Sequence, residues 1–224
     1  MPSPDLDAAA EELFAAFAHR PRPSAPRLCA GHCTGEDDHE LLNRIDPRDL
    51  DGELLDRYWW NTSFDWELMT YFMPSLLRAL PADDGIGDFI VAIGLHARWP
   101  ELTGRERAAV EAFVRAWFAD TLRHLPSDGR TAGRVLDAAA TIGLDVEPYL
   151  EHWATVGTRE ARWQLVDLVV PGPDACAEPF GRWLLTPAPR AMLAACAPDA
   201  RTERDRDRLE TALGVLALRE QGRW

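Results

Sequence analysis

The stretch Ser63-Phe-Asp-Trp-Glu-Leu-Met-Thr-Tyr-Phe-Met-Pro-Ser-Leu-Leu-Arg-Ala-Leu80 decides the fold. Its apolar side chains Phe64, Leu68, Met69, Phe72, Met73, Leu76, Leu77 and Leu80 recur every three or four residues. A 3.6-residue period gathers them into one stripe, whereas a strand would need strict alternation. The stretch therefore predicts a helix central to the core. Pro74 inside it withdraws one backbone donor, so a distortion near Thr70 is expected.

Helix signals continue on both sides. Towards the N-terminus, Asp46-Pro47 reads as a helix start leading to Leu50, Leu54, Leu55 and Tyr58. Ser3-Pro4-Asp5 reads the same way, followed by Leu6, Leu13, Phe14 and Phe17. Between these two, Pro21, Pro23 and Pro26 forbid helix and predict an extended linker. Towards the C-terminus, the run Asp88 to Leu95 is ambiguous, but Gly94 and the Trp99-Pro100 exit favour helix over strand. Thr103-Gly-Arg-Glu106 is a capping box opening a helix with Val110, Phe113, Val114, Trp117, Phe118 and Leu122. Thr131 and Thr158 begin two more helices, and Gly143 closes the first of them. Asp145 to Thr155 carries Leu150 and Trp153, and Thr186-Pro187 starts a short element. A last helix sets Leu209, Leu213, Leu216 and Ala217 on one face.

These readings predict an all-α fold of about eight to ten helices, arranged as an irregular stack of hairpins in the manner of HEAT arrays. No fixed sequence period is present. Residues 1–27 read as an N-terminal helix with a Pro-rich linker, and residues 28–224 as a single helical domain.

The net charge is −13, and all 24 cations are Arg, since the chain has no Lys. Such a balance repels phosphate, so nucleic acid is not expected as a partner. Nine carboxylates between Glu36 and Asp56 face only Arg44 and Arg48, so this stretch alone carries −7. It reads either as a solvated surface or as a docking surface for a basic protein. No apolar run reaches the ~20 residues of a membrane span, and the N-terminus lacks a basic and apolar leader. A cytoplasmic protein without membrane contact is expected.

The chemistry-bearing residues concentrate in Cys29-Ala-Gly-His32-Cys33 and the following His39. Two thiols and two imidazoles in so short a stretch are donors that zinc accepts. His32 and Cys33 are adjacent, and the spaced pair of C-x-x-C motifs is missing, so a Cys29–Cys33 redox pair and plain structural thiols stay open beside zinc. Cys176 and Cys196 sit among apolar and small residues and read as inert buried thiols. His19, His96, His124 and His152 fall near predicted helix ends, where a cation suits the dipole. Trp59, Trp60 and Trp66, near Tyr58 and Tyr71, read as core before they read as a ligand pocket.

Several catalytic signatures are missing. Gly85-Ile-Gly87 lacks the third glycine of a dinucleotide loop, and His39-Glu40 lacks the second His of a metalloprotease helix. Without Lys there is no phosphate-loop lysine and no Schiff base.

Cys29-x-x-x-Cys33-Thr-Gly-Glu-Asp-Asp, the helix ending Arg57-Tyr58, Phe72-Met-Pro74-Ser-Leu76-Leu77, Trp99-Pro100 and the Glu106-Arg107 helix with Trp117 together resemble a family of uncharacterised bacterial proteins of similar length. The resemblance spans roughly residues 28–170. It implies an all-helical fold with no assigned activity and carries over no site residue; if that family's loop holds another thiol, His32 is a departure that weighs against zinc.

Two functions follow as expectations. The first is a non-catalytic interaction or regulatory protein with a basic partner, in the manner of a toxin-neutralising immunity subunit. The second is a small metalloprotein holding zinc through Cys29, His32, Cys33 and His39.

Overall fold

The computed structural model of the chain describes residues 3–23, 44–50, 66–82, 87–126, 131–171 and 177–223. The fold is all-α. Among the described residues there are ten α-helices and no strand: α1 (Pro4–Phe17), α2 (Trp66–Ala79), α3 (Gly87–Arg98), α4 (Gly104–Thr121), α5 (Ala132–Ile142), α6 (Glu147–Thr155), α7 (Arg159–Val169), α8 (Ala177–Leu184), α9 (Pro187–Ala194) and α10 (Glu203–Glu220). They divide into two compact units, Met1–Phe113 and Val114–Trp224, with the division inside α4. The boundary read from the sequence, between residues 27 and 28, lies outside the described residues.

In the first unit α2 is the centre. Leu68, Met69, Met73, Leu76 and Leu77 are buried, and Phe72 is wholly inaccessible. Removing one such side chain from water contributes about 1.5–3 kcal/mol. The helix runs through Pro74, and near its start the Thr70 hydroxyl donates to the Trp66 carbonyl at 2.7 Å. Helix α1 lays Leu6, Leu13, Phe14 and Phe17 into the core and packs on α2. Its first turn is closed by Ser3, whose Oγ accepts from the Leu6 N–H at 3.3 Å. The ambiguous run from Asp88 is helical and forms α3. Here α3 comes close to α2: a Cβ on Gly94 would collide with the Met69 methyl.

The helix expected to carry Leu54, Leu55 and Tyr58 lies outside the described residues, which show only its start. Asp46 caps as expected, accepting from the Arg48 N–H at 2.9 Å, and a 3₁₀ turn, Pro47–Asp49, follows it. Leu50 is already extended. Helix α2 holds this turn: Ser75 donates to the Pro47 carbonyl, and Arg78 donates to those of Arg48 and Leu50. These three carbonyls thereby find partners in side chains of α2.

In the second unit α7 is the hub, packing on α5, α9 and α10. An aromatic run fills the core around it. Phe118 meets Tyr149 and Trp153 edge-on at 5.6 and 5.7 Å, Trp153 stacks on Trp183 at 5.5 Å, and Phe180 follows at 5.8 Å. The buried indole N–H of Trp153 donates to the Ala161 carbonyl at 3.0 Å, as a buried Trp requires. Thr158 caps α7, and Gly143 ends α5 in the left-handed region at φ 97°, a conformation that favours glycine.

Candidate functional site

Cys29, His32, Cys33 and His39 lie outside the described residues, as do Cys176, Trp59, Trp60 and most of the acidic stretch. Among the described residues no group of three or more His, Cys, Asp or Glu is placed to hold a metal. The four remaining histidines do stand at the C-terminal ends of helices. His19 reaches the Ala16 carbonyl through Nδ1 at 3.1 Å, and His124 lies 3.6 Å from Asp120. Cys196 is fully buried, with Sγ 3.6 Å from the Met192 carbonyl. Burial pushes its thiol up to about 11, so it is protonated and unreactive at neutral pH.

The acidic stretch is visible from Arg44 to Leu50, and it is pinned to the α1–α2 pair. Besides the bonds from Ser75 and Arg78, Arg22 donates to the Ile45 carbonyl at 2.6 Å. Arg48, one of two cations inside this stretch, turns back to Glu11 of α1, donating to both carboxylate oxygens at 2.7 and 3.0 Å. The guanidinium groups of Arg48 and Arg78 lie 4.5 and 5.0 Å from the ring centre of Phe14. The charge of Arg48 is thus taken up by α1, while Asp46 and Asp49 stay at the surface.

The most constrained ionic group is Glu106. Its side chain is 0% exposed and receives Arg20 in a two-pronged pair, Nε at 2.5 Å and Nη2 at 2.7 Å. The Thr103 N–H adds a third bond at 2.7 Å, and Thr103 Oγ1 accepts in return from the Glu106 N–H at 3.2 Å. Burial alone would raise this carboxyl; the bonds from Arg20 and Thr103 outweigh it and hold the group below the usual carboxylate range. His19 Nε2 stands 3.7 Å away. The capping box is a local pattern and is visible in the sequence. Arg20 is 86 residues distant and carries no local mark, so the pair is not. The group joins the end of α1 to the start of α4 and has no open face for a substrate.

In the second unit an open cleft of about 360 Å³ separates the C-terminal end of α7 from the first turns of α10. Val166 and Val170 line it with Asp167, Arg204, Asp207, Arg208 and Thr211. Asp167 and Arg208 form an ion pair, and Arg208 also lies 5.2 Å from the ring centre of Trp163.

No protein-family model, curated protein or solved structure matches this chain. No described helix is long and apolar enough to cross a membrane.

Proposed function

We propose that the chain is a non-catalytic docking protein whose first unit receives a basic protein partner, in the manner of a toxin-neutralising or regulatory subunit. The reading rests on the charge distribution. Residues 1–113 hold 21 carboxylates against ten Arg, a net −11, whereas residues 114–224 hold 16 against 14, a net −2. The engagement of Arg48 by Glu11 supports it further, because it leaves the acids around Arg48 without that cation. Such a surface favours encounter with a basic partner and is weakened by salt.

The test is capture on the immobilised full-length chain. Between about 0.1 M and about 1 M salt the Debye length falls from about 10 Å to about 3 Å, so a docked basic protein should elute. Joint Asp46→Asn and Asp49→Asn substitution should lower retention as well. Capture that ignores both salt and the two substitutions would remove the proposal.

A second reading, zinc held by Cys29, His32, Cys33 and His39, is supported by four suitable donors within eleven residues. Elemental analysis of protein purified without added metal should then find one zinc per chain, lost on Cys29→Ser with Cys33→Ser. Metal-free protein at full yield would dismiss it.

A further inference from the structure

We draw no further inference here: the strongest candidate, the open cleft between the C-terminal end of α7 and the first turns of α10, carries the cancelling charges of Arg204 and Asp207 beside Val166 and Val170, and nothing in the structure shows what covers it.

Discussion

The two units fasten their helix ends with the same economy of residues but with opposite chemistry. In the first, the buried carboxylate of Glu106 takes Arg20 from the end of α1 and the Thr103 N–H at the start of α4. In the second, the neutral amide of Gln164, 1% exposed, does the equivalent work. Its Oε1 accepts from the Ala132 N–H at the start of α5 at 3.0 Å. Its Nε2 donates to the Thr121 and His124 carbonyls at the end of α4, at 3.4 and 3.0 Å. An ionic clamp answers to pH; an amide clamp does not. The difference follows the charge distribution, since the ionic clamp sits in the unit that carries most of the net charge.

The largest effects should come from the cores that the clamps hold in place. Phe72→Ala and Trp153→Ala each remove a side chain with no exposure and should cost about 3–5 kcal/mol. Trp153→Ala should fall at the upper end, because it also removes the indole hydrogen bond to the Ala161 carbonyl. Denaturant midpoints measure both, and a negligible shift for Phe72→Ala would overturn the central place of α2.

Next is the ionic clamp. Glu106→Leu leaves Arg20 without its carboxylate, and breaking a buried pair in this way costs about 3–5 kcal/mol. Because the Arg20 side chain keeps 24% exposure, solvent screens the orphaned cation and the loss should sit near or below the lower value. The pH dependence has a definite sign. Glu106 is lowered in the folded chain, so its contribution is complete above the ordinary carboxylate value near 4.3 and disappears as pH falls through the lower folded value. Acid titration of the wild type should therefore show a loss of stability below about pH 4 that Glu106→Leu lacks. Identical acid curves would show that the pair is not the sensor.

The amide clamp should give a smaller loss and a different pH response. Gln164→Leu strands the Ala132 N–H and the His124 carbonyl, while the Thr121 carbonyl keeps the His124 N–H, and should cost about 2–3 kcal/mol, with little change between pH 4 and pH 7. Gln164→Glu sharpens the contrast with the first unit. The introduced carboxylate would face two carbonyl oxygens, which favours its protonated form and raises its folded value. Stability should then be greatest below the ordinary carboxylate range and fall as pH rises through the raised value, opposite in sign to Glu106. A Gln164→Glu variant that is most stable at neutral pH would mean the carbonyls are not where the clamp requires them.

These clamps mark the limit of what the residues reveal in order. Ser3, Thr103, Thr131, Gly143 and Thr158 act on backbone groups a few positions away, so their roles are legible in a linear reading. The burial of Phe72 is legible too, because a helical stripe must face a core. Arg20 and Gln164 act over 86 and 32 to 43 residues, and nothing near them in sequence announces their partners. The turn at Pro47–Asp49 shows both sides: the Asp46 cap is local and legible, whereas the bonds from Ser75 and Arg78 of α2 come from 28 and 30 residues away and are not. Of the candidate site, the donor types and the excess of acid are legible, while the engagement of Arg48 by Glu11, 37 residues away, is not.

The smallest effect in energy is the most informative about function, and it also divides the two units. Cys196 belongs to the second unit, has no exposure, and has a thiol pushed up to about 11 by burial. A thiol reagent at pH 8 should leave it untouched in the folded chain and label it only after unfolding, because the thiolate is the reacting species. Cys29 and Cys33 belong to the first unit, flanked by Pro21, Pro23 and Pro26 on one side and the acidic stretch on the other. That setting disfavours burial, so both should be labelled in the native state, each at the rate of an open thiol. Zinc would protect the pair until a chelator is added, whereas a disulfide would protect it until a reductant is added. The three outcomes separate the metal reading from the redox one and from plain thiols without reference to any partner. Equal labelling of Cys29, Cys33 and Cys196 in the folded chain would contradict the burial of Cys196 and the contrast between the units together.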